Sequence, residues 1–211
     1  MVLMDWFLPV LLEVAQLLLS LEQMASFQLV GGTAIALQLG HRKSIDIDLF
    51  SNKKVDLRNL SRSIKNAFPE TKELTVTQQN ISGILKGVRV DIYDEWAIPF
   101  RCPPVIEEGI SLAALEDLAA FKLSAIIGRR EKKDYIDLFF LFKHLSAAKI
   151  LDDFKEYEPL LSAKSLLFAL LEVGTAIENK TPMPEMLVDI DWREIKNAMT
   201  EACREYVKLS R

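Results

Sequence analysis

Residues 44–50, SIDIDLF, alternate strictly between polar and apolar side chains, and this pattern constrains the fold more than any other part of the sequence. Such alternation is typical of a β-strand with one buried face, because successive side chains point to opposite sides of a sheet. Asp46 and Asp48 then lie on one face, roughly 6–7 Å apart along the strand. With no Lys or Arg on that face of the strand, the carboxylates repel each other, and a divalent cation would remove the repulsion.

Two glycines, Gly31 and Gly32, follow an apolar segment that is predicted as a short strand over 27–30. A helix is predicted directly after them, over 33–39, with Gly40 at its C-terminal end. Glycine lets a phosphate approach the backbone, and a helix N-terminus presents N–H groups to an anion. Nearby side chains add hydroxyl donors and positive charge: Thr33, Ser44 and Arg42. The pattern predicts a phosphate-binding turn.

Asp91 provides a third carboxylate, on the polar side of a second alternating segment over 88–94. If its strand lies beside the strand of Asp48, at a spacing of about 4.8 Å, three carboxylates converge. Such a set suits two metal ions roughly 3.5–4 Å apart, which support the in-line displacement of a phosphate. A solvated row of carboxylates on a half-buried sheet gives the same Asp-x-Asp pattern, but the order of the motifs along the chain favours the metal site.

The remaining patterns predict an α/β core over 1–108 and an all-helical lobe over 109–211. In the core, amphipathic helices are predicted over 4–26 and 56–68. Further strands are predicted over 73–77 and 81–85, and a hairpin turn is predicted at Lys86 and Gly87. The segment over 97–110 contains three prolines and is predicted as a connection that includes at most a short strand. In the lobe, helices are predicted over 112–128 and 132–145, and the rest is mostly helical.

Composition limits the class of protein. Half of the 211 residues are hydrophobic and 27% are charged, which is typical of a packed globular protein. The formal net charge of −4 argues against charge-driven binding of nucleic acid, although it allows a local basic patch. Two cysteines, Cys102 and Cys203, are too few for a disulfide framework or a zinc site. Without an apolar stretch of 18 residues or a signal-peptide pattern, we expect a cytoplasmic protein that does not enter a membrane.

The order of these motifs resembles the nucleotidyltransferase superfold of the DNA polymerase β type. Within it, GGTAIALQLGHRKSIDIDLF, residues 31–50, is similar to the first motif of the AbiEii/AbiGii toxin family. FKLSAIIGRREKKDYIDLFFL, residues 121–141, resembles a later region of that family. The resemblance covers about residues 27–142. It implies an α+β fold, with a nucleotidyltransferase-type mixed sheet flanked by helices and followed by an all-helical C-terminal lobe.

The resemblance also implies roles for the motif residues. Asp46 and Asp48 correspond to metal ligands, and Asp91 corresponds to a third carboxylate that acts as a ligand or as a general base. The nucleotide-binding positions in this part of the chain are Gly31, Gly32, Thr33, Arg42 and Ser44. The cofactor implied is Mg²⁺ or Mn²⁺, and the substrate is an NTP.

In the helical lobe, Lys122 resembles the catalytic lysine that engages the triphosphate, with Arg129 and Asp137 as accompanying nucleotide-binding residues. Lys122 and Arg129 are seven apart, so they share a helix face if the helix continues through Gly128. The alternative for Lys122 is a surface lysine whose stem covers apolar surface. For Asp134, which follows two lysines, a solvated helix face is expected.

These assignments predict a metal-dependent nucleotidyltransferase that moves an NMP from an NTP to an acceptor hydroxyl. The resemblance favours a tRNA end as the acceptor. It also implies the toxin of a type IV-like toxin–antitoxin or phage-defence system, with a cognate antitoxin encoded nearby. Two alternatives stay open. One is NMP transfer to a protein or to a small molecule such as an antibiotic, and the other is an inactive nucleotide- or partner-binding module of the same fold.

Overall fold

One mixed β-sheet of seven strands forms the centre of the first part of the chain. The structure is a computed structural model that describes residues 9–71 and 73–209. The strands are β1 Gln28–Val30, β2 Asp46–Phe50, β3 Leu74–Val76, β4 Asn80–Leu85, β5 Val88–Tyr93, β6 Val105–Glu107 and β7 Ile110–Leu112. Their order across the sheet is β3-β4-β5-β2-β1-β7-β6. The central strand β2 pairs in parallel with β5 and antiparallel with β1.

Three helices accompany the sheet: α1 Pro9–Leu19, α2 Gly31–Leu39 and α3 Leu57–Ala67. α2 ends at Gly40, whose N–H donates to the Ala36 carbonyl at 2.8 Å. α3 begins after Asp56, whose side chain accepts hydrogen bonds from the backbone N–H groups of the first turn. The helix predicted over 4–26 ends earlier, at Leu19, and residues 4–8 lie outside the described part of the chain.

The alternation predicted for β2 is present in the structure. Ile47 and Leu49 are fully buried, whereas Asp46 and Asp48 on the opposite face are partly buried. Ile45, predicted on the buried face, precedes the strand and is 64% exposed. The apolar face therefore begins one alternation later than the sequence indicates, because the extended pairing starts only at Asp46.

Two of the hairpins in the sheet have two-residue turns with positive φ: Lys86 and Gly87 before β5, and Glu108 and Gly109 before β7. Lys86 and Gly87 join β4 to β5, and both have positive φ, 48° and 82°, as a two-residue hairpin turn requires. The segment over 97–110, predicted as a connection, contains β6 and the beginning of β7, which pair antiparallel. All three residues of β6 are exposed at the edge of the sheet, so this strand has no apolar alternation that a sequence pattern could detect.

The chain divides into two units, Met1–Ala114 and Leu115–Arg211. The helices of the second unit are α4 Leu115–Arg129, α5 Lys132–His144, α6 Ala147–Tyr157, α7 Ala163–Leu171, α8 Val173–Glu178 and α9 Trp192–Leu209. α9 packs against α5, α6, α7 and α8, and α4 packs against α5, α6 and α7. The predicted fold class, a mixed sheet with helices followed by a helical region, is confirmed. Across residues 9–71 and 73–209, no helix has the length and apolar character needed to cross a membrane.

Candidate active site

Three carboxylates lie on one face of the central strands. Asp46 and Asp48 belong to β2, Asp91 belongs to β5, and Asp48 and Asp91 are register partners across the parallel pair. Register partners in adjacent strands point to the same side of a sheet, as do residues two apart in one strand. All three are partly buried, whereas the apolar residues between them are buried. The structure thus brings Asp91 beside Asp48, as the spacing argument requires, and the roles of these residues stay predictions.

A cation shares this carboxylate face. Arg89 is the register partner of Asp46, and its Nε donates to Asp91 Oδ2 at 2.9 Å. The pKa of Arg89 is raised, first by the hydrogen bond to Asp91 and then by its charge, with smaller contributions from Asp46 and Asp48. The expectation that no Lys or Arg shares the carboxylate face is therefore met within β2, but not on the neighbouring strand β5, where Arg89 lies. The signal was in the sequence, because Arg89 is two residues before Asp91 and must share its side of the strand.

The three carboxylates fit a divalent cation in their chemistry, since Mg²⁺ and Mn²⁺ prefer oxygen ligands. Among residues 9–71 and 73–209, however, no three His, Cys, Asp or Glu side chains are gathered into a metal-binding group. Asp91 is engaged by Arg89 instead. If Asp91 served as a metal ligand, the metal would compete with Arg89 for its carboxylate.

Gly31 lets Asp48 approach the start of α2. Its φ is +69°, and a β-carbon at this position would lie 2.3 Å from Asp48 Oδ2. An L-residue would thus be strained and would also displace the carboxylate. The first N–H groups of a helix have no acceptor within the helix, so Gly31 places Asp48 beside an anion-binding helix end.

Replacement of Gly31 by alanine is expected to impair function more than stability. We expect Gly31→Ala and the matched control Gly87→Ala to lower the free energy of unfolding by roughly 1–2 kcal/mol each, because both positions have positive φ. Nothing lies within 4 Å of a β-carbon at Gly87. Only Gly31→Ala moves Asp48, so we expect it to reduce nucleotide transfer by about a hundredfold beyond the control. Urea unfolding and transfer assays check this, and equal activity of the two variants would contradict it.

Gly32 has a different neighbour, the guanidinium of Arg42. A β-carbon at Gly32 would lie 2.1 Å from Arg42 Nη2. Arg42 is only 4% exposed, and its Nη1 donates to the Lys43 carbonyl at 2.9 Å. The two glycines therefore bring a carboxylate and a guanidinium against the same backbone turn, one residue apart.

Thr33 and Ser44 connect α2 to the strand that holds the carboxylates. Thr33 is 1% exposed, and its Oγ1 lies 2.8 Å from Ser44 Oγ and also donates to the Asp46 carbonyl. These contacts fix the start of β2 relative to the first turn of α2. In this structure the Thr33 hydroxyl is thus used within the protein, which favours a positioning role over direct contact with phosphate.

In the second unit, Lys122 is part of a buried charged cluster. Its Nζ lies 3.1 Å from Asp134 Oδ1 and 2.7 Å from Asp137 Oδ2, and both carboxylate side chains have no exposed surface. Arg129, 49% exposed, donates to both oxygens of Asp134, from Nε and Nη2 at 2.8 Å each. The helix α4 continues through Gly128, so Lys122 and Arg129 share a face as predicted.

The expectation that Asp134 lies on a solvated face is wrong. Asp134 is fully buried, although two lysines precede it in the sequence. Burial acts to raise the pKa of Asp134, but the charge of Lys122 and the hydrogen bonds and charge of Arg129 outweigh it, and the pKa is lowered. Lys122, at 5% exposure, is likewise not a surface lysine. Asp134 is therefore the central member of the cluster.

The motif residues of the first unit coincide with a family match. Residues 16–91 match the family described as nucleotidyl transferase AbiEii toxin of type IV toxin–antitoxin systems. This stretch is AbiEii-like. The match confirms the predicted resemblance and the predicted enzyme class, nucleotidyltransferase. The matched residues include the two glycines and the three carboxylates Asp46, Asp48 and Asp91, and the match ends before Lys122.

Two kinds of relative extend over nearly the whole chain. An uncharacterized protein of Aquifex aeolicus is 29% identical over 204 residues, which are 93% of this chain and 95% of that protein. JHP933 from Helicobacter pylori has a TM-score of 0.54 at 19% identity, covering 97% of this chain and 96% of its own. The structure of a candidate nucleotidyltransferase from H. pylori has a TM-score of 0.52 at 19% identity, with 96% of both chains covered. These two structures show that the chain shares their fold.

Proposed function

We propose that the protein transfers an NMP from an NTP to an acceptor hydroxyl with the help of a divalent metal ion, Mg²⁺ or Mn²⁺. The observation that carries the proposal is the register of β2 and β5, which pairs Asp48 with Asp91 on one face beside Asp46. Gly31 adds the N-terminus of α2 at Asp48. A carboxylate face next to an anion-binding helix end suits a reaction between a metal-bound phosphate and a hydroxyl.

In such a transfer, the residues of the first unit would have different roles. The backbone N–H groups at the start of α2 bind phosphate oxygens and orient the α-phosphorus for attack, and the buried Arg42 guanidinium beside Gly32 adds positive charge to this turn. An Asp91 oxygen accepts the proton of the attacking hydroxyl as the new bond to the α-phosphorus forms, and the bond to the bridging oxygen breaks to release pyrophosphate. Asp46, Asp48 and Asp91 would hold the metal, which supplies charge neutralisation on the phosphates.

For Lys122, Arg129 and Asp137 we propose a contribution to NTP binding that depends on the intact cluster. The charge that reaches solvent there is the guanidinium of Arg129, since Lys122 is almost entirely buried. A buried ammonium between two carboxylates acts by holding α4 and α5 in place, whereas a half-exposed guanidinium can contact an anion. The exposure of Arg129 thus supports it, rather than Lys122, as the residue of this set that contacts an anion.

We propose a tRNA end as the acceptor, and a role as the toxin of a type IV toxin–antitoxin pair with a cognate antitoxin protein. The support for the pair is the description of the matched family, and the support for the acceptor is the resemblance of the motifs. The net charge of −4 requires any RNA contact to be local.

One labelling experiment tests the proposal. The protein is incubated with each α-labelled NTP and Mg²⁺ or Mn²⁺, together with total RNA, a protein extract or a small-molecule extract. We expect label in RNA of tRNA size with at least one NTP. Label in protein or in small molecules instead would refute the RNA acceptor and support the alternative transfer. Absence of label from every fraction, with NTP binding retained, would refute the enzyme and support a binding module.

A further inference from the structure

Three aromatic rings continue the carboxylate face beyond the aspartates. Phe50 is two residues after Asp48 on β2, Tyr93 is two residues after Asp91 on β5, and Phe50 and Tyr93 are register partners. Both rings therefore point to the side of the carboxylates, roughly 6–7 Å further along the strands. Trp96 stacks on Phe50, with ring centroids 3.9 Å apart and an interplanar angle of 27°. It also meets Tyr93 edge to face at 5.6 Å.

Backbone hydrogen bonds fix this aromatic cluster in place. The N–H of Ser51 donates to the Tyr93 carbonyl at 3.0 Å, and the N–H of Trp96 donates to the Ser51 carbonyl at 2.8 Å. The Asn52 side chain adds a bond to the Trp96 carbonyl at 2.9 Å. The segments after β2 and β5 are thus bonded to each other, and these bonds hold the backbone that carries the three rings.

The aromatic cluster is not part of that core. The buried residues of β2 and β5, such as Leu49 and Ile92, face the other side of the sheet, whereas all three rings are only partly buried. Within the described residues, the indole Nε1 of Trp96 is buried without a hydrogen-bond partner. Rings placed for packing in that core would lie on the side of Leu49 and Ile92. Planar rings with exposed surface beside a phosphate site are instead suited to stacking a base.

We propose that Phe50, Tyr93 and Trp96 form a stacking platform for a nucleobase whose phosphate lies at the carboxylates. The proposal rests on the proposed function for its phosphate site and goes beyond it by assigning where the base binds. Stacking on aromatic rings is tolerant of base identity, because every base has a flat π-face. The base belongs either to the NTP or to the terminal nucleotide of an RNA acceptor, and the chemistry of recognition is the same in both.

Binding measurements with Trp96 variants test the platform. The probes are an NTP, inorganic tripolyphosphate and a short single-stranded RNA, each with Mg²⁺ and measured by calorimetry. Trp96→Leu keeps apolar volume but removes the ring, Trp96→Phe keeps a ring, and Trp192→Phe on α9 serves as a tryptophan control. We expect Trp96→Leu to weaken binding of the NTP or of the RNA by roughly 5- to 150-fold, the effect of one stacked base. Tripolyphosphate binding should not change.

The outcomes distinguish the base of the NTP from the base of the RNA, and they distinguish failure of the platform from failure of the proposed function. Loss for the NTP assigns the platform to the donor base, and loss for the RNA alone assigns it to the acceptor. Trp96→Phe should retain most of the affinity in either case. Unchanged binding of both nucleotides by Trp96→Leu would overturn the platform while leaving the proposed function intact. Equal weakening of tripolyphosphate would also overturn it, since that result indicates a structural role. Wild-type protein that binds none of the three probes would refute the proposed function itself and the platform with it.

Discussion

Replacement of Asp48 by asparagine is expected to reduce nucleotide transfer by about a thousandfold or more, because losing a metal-binding charge removes several kcal/mol of transition-state stabilisation. Asp48 pairs in register with Asp91 and also lies against Gly31, the first residue of α2. It therefore connects the carboxylate face of the sheet to the N-terminus of α2. The change is nearly isosteric, and we expect the free energy of unfolding to stay close to that of the wild type.

Label transfer and urea unfolding, measured on the same preparations, check this expectation. Asp152→Asn on α6 is a matched control, since Asp152 forms an exposed ion pair with Lys155. We expect the control to transfer label as the wild type does. Undiminished transfer by Asp48→Asn would show that the chemistry takes place elsewhere. A variant that unfolds more easily than the control would indicate that the loss of activity reflects folding.

Replacement of Lys122 by methionine is expected to lower the free energy of unfolding by roughly 3–5 kcal/mol, because it leaves buried carboxylates without the ammonium between them. Lys122 contacts Asp134 and Asp137, neither of which has exposed surface. Lys149→Met is the matched control, because Lys149 forms its ion pair with Asp153 on the surface of α6. We expect the control to unfold as the wild type does. A Lys122→Met variant of wild-type stability that has lost only NTP binding would contradict the structural role.

The same cluster gives a pH dependence. The pKa of Asp134 is lowered below its usual value of 3.8, so its contribution to stability is present above that value and is lost as the pH falls through the folded-state pKa. We expect the free energy of unfolding to decline below about pH 4, and Asp134→Asn to weaken this decline. Unfolding curves at several acidic pH values measure it. Identical pH dependence in the wild type and in Asp134→Asn would show that other carboxylates are responsible.

The central strand shows how much a local pattern can predict. The alternation over residues 44–50 indicates which side of β2 is buried, and the second alternating segment indicates that Asp91 lies on a polar face. That the two strands are neighbours is a condition of the prediction, and the parallel pairing of β2 with β5 meets it. What the pattern cannot give is the close approach of Asp48 to Gly31, because that distance depends on how β1 and β2 pair and on the positive φ of the glycine.

Asp134 shows where such patterns fail. Charged residues directly precede it in the sequence, so local composition indicates a solvated position. On α5, however, it lies one turn before Asp137 and Leu138, which are both buried. Burial of the Asp134 carboxylate becomes favourable because Lys122 and Arg129 on α4 form ion pairs with it. A buried ion pair depends on two segments at once, and a pattern within one helix does not contain the second.

Binding of Mn²⁺ in the presence of a non-hydrolysable NTP, followed by electron paramagnetic resonance, tests most directly whether the three carboxylates form one metal centre. The variants are Asp46→Asn, Asp48→Asn and Asp91→Asn, with Asp152→Asn as the control. We predict that each of the three weakens the same bound Mn²⁺ by about tenfold or more, since each removes a charged oxygen ligand, and that the control does not. Wild-type Mn²⁺ binding by Asp91→Asn, with loss in Asp48→Asn, would contradict a shared centre on this face of the sheet.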